Sequence, residues 1–162
     1  MRDSRGQTLV ELMIAMSVMS VGLLSVFAVL SQSLGLNRVV AEQYIASNLA
    51  AEGIEVVKNI IDTNVAQDRP SWNEGVGPGT YEVQYDSPTL TQVSGEGRVL
   101  TFDPDTGLYA YDKRTSTNFR RVITINSINS NEIQVKSTVT WSSRGGKTFE
   151  VVLEDRFFNW RQ

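Results

Sequence analysis

The stretch Gly6-Gln-Thr-Leu-Val-Glu11, followed at once by Leu12-Met-Ile-Ala-Met-Ser-Val-Met-Ser-Val-Gly-Leu-Leu-Ser-Val-Phe-Ala-Val-Leu30, decides how the rest of the chain is read. The apolar run is about 19 residues long, close to the ~20 that a helix needs to cross a ~30 Å hydrocarbon core. Its breaks are Ser17, Ser20, Gly22 and Ser25. A serine inside a helix can satisfy its hydroxyl on its own backbone, so these breaks are compatible with lipid. From Leu12 to Asn37 no residue is charged, whereas from Arg38 onward the charge content is ordinary. Glu11 therefore stands at the border of a span that should hold no charge. A carboxylate at the centre of a bilayer costs about 2.5–3.5 kcal/mol on insertion scales, and less near an interface. Such a group calls for a partner.

Working outward, residues 1–6 are short and polar, with Arg2 and Arg5 against Asp3. On the other side the helix is expected to outrun the membrane, because no proline occurs before Pro70. Between Arg38 and Asp62 the pattern turns amphipathic. Ile45, Leu49, Gly53, Val56 and Ile60 recur at spacings of three and four, and Ala46, Ala50, Val57 and Ile61 widen the stripe. Glu52, Glu55, Lys58 and Asp62 fall mostly on the opposite side, with Glu55–Lys58 and Lys58–Asp62 spaced for weak surface pairs. A helix from about Thr8 to Asp62 would be roughly 80 Å long at 1.5 Å per residue.

Beyond Thr63 the sequence changes to turns and strands. Asp68–Thr80 is a loop rich in Gly and Pro, and Tyr81–Tyr85 alternates as a strand does. Val99–Phe102 and Leu108–Tyr111 flank Asp103-Pro-Asp-Thr-Gly107, a hairpin signal: Pro presets one turn dihedral and Gly accepts positive φ. Arg121–Ile125, Glu132–Trp141 and Lys147–Glu154 read as further strands, the last two joined by the turn Ser142–Gly146. The expected class is α+β. A long N-terminal helix, transmembrane in one half and amphipathic in the other, packs on a C-terminal antiparallel sheet. The expected organisation is a leader over 1–6, a membrane and core helix over 7–37, its amphipathic continuation over 38–62, and a β-rich head over 63–162.

Composition narrows the function. The chain has 162 residues, a formal charge of -3, no cysteine and no histidine. It is long enough for one domain with a core. The balance argues against a nucleic-acid partner, which leaves a basic footprint. Without cysteine there is no disulfide or thiolate site, and without histidine the commonest general base and metal ligand are missing. No catalytic residue, metal site or cofactor is expected, and the chain reads as a structural protein, not an enzyme.

The chemistry concentrates at Gly6–Glu11. A cut after Gly6 would create an α-amino group on Gln7, one helical turn before Glu11. An amine and a carboxylate in low dielectric attract strongly, and between chains such a pair fixes register. These residues resemble the class III signal of type IV pilins and type II secretion pseudopilins. In that family a Gly, a first mature residue that is usually Phe, and Thr-Leu-Ile/Val-Glu precede a hydrophobic helix. Gly6, Thr8, Leu9, Val10 and Glu11 match position by position. The resemblance implies a pilin-like fold and cleavage by a membrane prepilin peptidase between Gly6 and Gln7, with N-methylation of Gln7. It also implies charge pairing through Glu11 with other pilin or pseudopilin subunits on an assembly platform. Gln7 departs from the usual aromatic residue, and the mid-span proline of many major pilins is absent. Phe119–Ile125, Ile133–Trp141, the ending Phe157-Phe-Asn-Trp160 and the helix text Ala50–Lys58 are similar to minor pilins of the PilV and GspI type.

On this reading the precursor sits in the cell (inner) membrane as a single span, in contact with lipid until it enters a pilus or pseudopilus. The positive-inside rule puts Arg2 and Arg5 in the cytoplasm and the head outside, with Arg38 opposing weakly. The alternatives are a tip or adhesin-like binding subunit, a Tad-type minor subunit, a membrane-anchored extracytoplasmic domain without a filament, and a secretory signal peptide. The run is longer than a signal-peptide core and lacks a small-x-small site. Asp103 and Asp105 read as a solvated turn before they read as a Ca²⁺ site, which gathers about six to eight oxygens. Trp72, Trp141 and Trp160 read as core or inter-subunit packing. Lys113, Arg114, Arg120 and Arg121 form a basic cluster in sequence that reads as solvated or inter-subunit. Gly75–Gly79 lacks the Lys-Ser/Thr of a phosphate loop.

Overall fold

The computed structural model describes residues 4–143 and 146–160, with side chains from Thr8 onward. Residues 1–3 of the expected leader and residues 144–145 of the expected hairpin turn lie outside the described residues. One helix, α1 (Ser4–Ala66), is followed by β1 (Gly79–Glu82), β2 (Thr91–Gln92), β3 (Val99–Asp103), β4 (Leu108–Ala110), β5 (Thr115–Asn129), β6 (Glu132–Ser142) and β7 (Thr148–Phe158). The α+β architecture read from the sequence is the one observed. The chain divides into two compact units, Met1–Ala41 and Glu42–Gln162.

In the second unit, β5 is the spine of a seven-stranded sheet whose pairings are all antiparallel. One edge of β5 carries β6, which carries β7 in turn. The other edge carries β3 against Thr115–Arg120 and β1 against Ile123–Ile125, with β4 and β2 outside them. Among the described residues β7 pairs only with β6, so its far side is an open edge.

Period-two alternation explains which sheet face the helix covers. Phe119, Arg121, Ile123 and Ile125 of β5 and Ile133, Val135, Ser137, Val139 and Trp141 of β6 point inward and are buried. The stripe that meets them is Ala46, Leu49, Ala50, Gly53, Ile54, Val56, Val57 and Ile61, all buried, with Ile45 and Ile60 half-buried at its margins. The core forms two clusters. One gathers Ile54, Val57 and Ile61 with Trp72, Val76, Val83, Ile123 and Ile133. The other gathers Ala46, Leu49 and Ala50 with Leu100, Tyr111, Phe119, Val139 and Trp141. Trp72 and Trp141 are thus core residues, whereas Trp160 is 72% exposed.

Element ends differ from the sequence reading for local reasons. The helix extends to Ala66 because Asn64, buried, donates through Nδ2 to the loop carbonyl of Glu74 at 2.8 Å. It stops where Asp68 takes a φ of 53°, a left-handed conformation that Asp tolerates. The strand expected over Tyr81–Tyr85 is instead Gly79–Glu82, since the chain leaves the ladder at Val83 and buries that side chain. β5 and β7 run longer than expected: the extension of β5 begins in the exposed polar Thr115 and Ser116, and that of β7 adds Asp155–Phe158, where the charged Asp155 interrupts the apolar helix-side row before Phe157.

Tyr111 is 9% exposed, its hydroxyl has no partner among the described residues, and Arg98 stacks over its ring at 4.3 Å. Burial, with Glu82 nearby, pushes the phenol up to about 12. A phenol that resists ionisation only when folded contributes stability that is complete below the unfolded value of ~10 and is lost as pH rises toward 12. Tyr111→Phe removes a stranded hydroxyl at little loss of shape. It is expected to hold or raise stability by up to ~1 kcal/mol. It should also remove one late step from the alkaline tyrosinate titration followed by absorbance. A late step that persists in the variant would show that another tyrosine produces it.

The candidate processing and assembly segment

The residues expected to carry function lie on the N-terminal part of α1. Backbone helix runs unbroken through Gly6–Glu11 and on past Leu30. Every residue from Thr8 to Arg38 is exposed, and the large apolar side chains among them range from 54% (Leu30) to 72% (Leu34) accessible. Burying one such side chain is worth about 1.5–3 kcal/mol, so this surface as a whole leaves on the order of tens of kcal/mol unrealised in water. It is far larger than the exposed patches that soluble monomers tolerate.

The helix is also quiet toward lipid. Ser17, Ser20 and Ser25 each donate to the carbonyl four residues back, on Met13, Met16 and Val21, at 2.8 Å. No hydroxyl of the three is left for an apolar solvent to strand. The segment containing this run has a mean hydropathy of 2.3 at its most apolar. Length and composition therefore allow it to cross a membrane.

Glu11 is exposed on the helix. Thr8, Leu9 and Val10 share its turn, and their apolar neighbours Leu12, Met13 and Ile14 are equally exposed. Gln7 precedes Glu11 by four residues, about 6 Å along a helix axis.

The head disperses the other residues singled out from the sequence. Asp105 pairs with Arg114 at 3.0 Å and Asp103 with Lys113 at 3.9 Å. The Asp103 carboxyl is held below its ordinary value, first by the backbone N–H of Asp105 and then by Thr106 and the two cations. Among the described residues, no three Asp or Glu side chains converge as a metal site would need. Arg120 donates to the Gly97 carbonyl at 2.6 Å on the outer sheet face. Arg121 does not belong with these cations. It is completely buried, donating to the Leu49 carbonyl (2.9 Å), to Glu52 (2.9 Å) and to the Val83 carbonyl (2.7 Å). Arg121 therefore drops out of the basic run, because alternation along β5 sends Arg120 and Arg121 to opposite faces, while Lys113 and Arg114 stay exposed ahead of the strand. Glu52, expected among the outward charges, turns inward to this pair, while Glu55 and Lys58 meet on the surface at 3.6 Å.

Two arrangements escaped the sequence reading. Arg121 keeps the parity of Phe119, Ile123 and Ile125, and that parity would have placed it on the core face. The buried carboxylate of Glu82 accepts from the backbone N–H of Arg98 and, at 2.8 Å, from its guanidinium. No local pattern announces that pair, which spans a loop of Gly95 and Gly97 in left-handed conformations.

Residues 1–27 match the family model of the prokaryotic N-terminal methylation motif. Among curated proteins and among solved structures nothing matches the chain. The motif bears out the resemblance to type IV pilins and pseudopilins. Such a motif implies, in general, processing by a prepilin peptidase and assembly as a pilin-like subunit, and the apolar helix that carries it is long enough to cross a membrane.

Proposed function

We propose that the chain is the precursor of a minor subunit of a type IV pilus or type II secretion pseudopilus. It inserts into the inner membrane with residues 1–6 in the cytoplasm and the head outside. The peptidase cuts between Gly6 and Gln7, and Gln7 becomes the methylated first residue. Glu11 then meets the new α-amino group of a neighbouring subunit, and the apolar helix passes from lipid into the filament core. Its apolar surface stays covered throughout, so extraction never exposes it to water. A free amine at a helix N-terminus is unfavourable beside the helix dipole, which adds a reason for each amine to seek a carboxylate on the next chain.

The observation that carries this reading is the methylation motif over residues 1–27, running directly into an apolar helix surface that the chain itself leaves uncovered. The test is intact mass spectrometry of the N-terminus after co-expression with an active prepilin peptidase. A chain that begins at Gln7, with or without one added methyl, is expected. Gly6→Phe should block it by more than ~100-fold, the scale on which a misplaced reacting group slows catalysis. A chain still beginning at Met1, with a control substrate cleaved, would leave a simple anchored domain.

A further inference from the structure

A single buried guanidinium ties α1 to the sheet at the seam between the two core clusters. Arg121 lies between Phe119 of one cluster and Ile123 of the other and is 0% exposed. It reaches a mid-helix carbonyl, Leu49, the Glu52 carboxylate one turn away, and the Val83 carbonyl where the chain leaves β1. Directly beside it, Gly53 faces the sheet so closely that a Cβ there would stand 2.6 Å from Ser137 Oγ, 2.7 Å from Ile123 Cδ1 and 3.1 Å from Arg121 Cδ.

The apolar stripe alone does not say how far along the sheet the helix should lie. Its members recur at steps of three and four, so a slip of four or seven residues sets one apolar side chain where another was. Such slips would bury much the same surface. They would not keep the charge paired. A slip of four residues brings Asn48 or Val56 to the place of Glu52, and a slip of seven brings Ile45 or Asn59.

We propose that Arg121 is the register pin of the head, a positioning residue that selects one axial placement of α1 on the sheet. Buried ion pairs are poor sources of net stability, since desolvation offsets most of their attraction, and their best-attested use is registry. Arg121 fits that description closely: it is fully enclosed, and its Nε has no partner among the described residues. Gly53 acts with it by repulsion, since a slipped helix would put a side chain where none fits. The guanidinium adds the attraction that a clash cannot supply.

The chain has no cysteine, so Lys58→Cys and Thr148→Cys, both at exposed positions, can carry a pair of spin labels on the full chain in detergent micelles. The unmodified core is expected to give one narrow distance. Arg121→Met should melt lower, because Glu52 loses its partner, yet show a second distance population displaced by about 6 Å, the rise of four helical residues. One narrow, unmoved distance in Arg121→Met would overturn the proposal. If that variant does not fold, Glu52→Leu with Arg121→Met removes the stranded carboxylate and is read in the same way. Two populations in the double variant support the pin, and one unmoved population overturns it. Loss of folding in the double variant would also overturn it, by showing that the pair bears strength instead of setting register.

Discussion

Glu11→Gln is expected to lower filament incorporation by two orders of magnitude or more while leaving membrane insertion unchanged or slightly improved. The two halves of that result have one cause. Removing the carboxylate lightens the transfer of α1 into lipid, because a charge at bilayer depth is costly. The same removal deletes the attraction proposed to bring each subunit to its neighbour. Two unit charges about 4 Å apart in an environment of effective dielectric ~20 attract by ~4 kcal/mol, and each ~1.4 kcal/mol is a factor of ten. Glutamine keeps the size and the hydrogen-bonding oxygen, so a loss reports on charge and not on shape. The measurement is subunit content of sheared filaments against membrane content of the same cells. Equal incorporation at equal membrane level would remove charge pairing from the mechanism and leave apolar packing as the whole driving force.

The second large effect lies in the head. Gly53→Val is expected to destabilise the head by about 3 kcal/mol or more, the upper part of the range for overpacking a core, and to lower its melting temperature by roughly 10 °C. An alanine at a helix interior is normally worth up to ~1 kcal/mol over glycine, so Gly53→Ala sets two forces against each other. Its Cβ would meet Ser137 Oγ at 2.6 Å and Ile123 Cδ1 at 2.7 Å, both closer than real contacts, and Ile123 is fully buried and cannot retreat to solvent. The clash should win, so both variants should melt below wild type, Val further than Ala. A stabilised Gly53→Ala would mean that helix and sheet can separate slightly without loss.

How far these features could be read from sequence depended on their period. The apolar run and the stripe from Ile45 to Ile61 were legible because helical spacing repeats over many turns. The hairpin of β3 and β4 was legible because Pro104 and Gly107 impose a turn, and the ladder pairs Asp103 with Leu108 across it. In the sequence Gly53 is one more member of the stripe; its role, letting helix and sheet approach, depends on what lies opposite. Arg121 belongs with its basic neighbours only in linear order, since alternation in β5 puts Arg120 and Arg121 on opposite faces of the sheet. The Glu82–Arg98 contact had no signature at all, being made by two residues sixteen positions apart across a glycine-containing loop. At the N-terminus the methylation motif was legible because its residues are contiguous.

The open edge of β7 bears on how such heads share space. The outer edge of this 11-residue strand offers a row of backbone donors and acceptors on which another chain could template. Its helix-side positions run Phe149, Val151, Leu153, Asp155 and Phe157, so a carboxylate interrupts an otherwise apolar row. Asp155 stays hydrated only while nothing continues the sheet past it. A further strand with a covering layer of its own would enclose that charge, at the several-kcal/mol penalty of an unpaired buried ion. Crowded heads can therefore touch along this side and part again, and the strand that would make the readiest seed for an aggregate carries its own solvent.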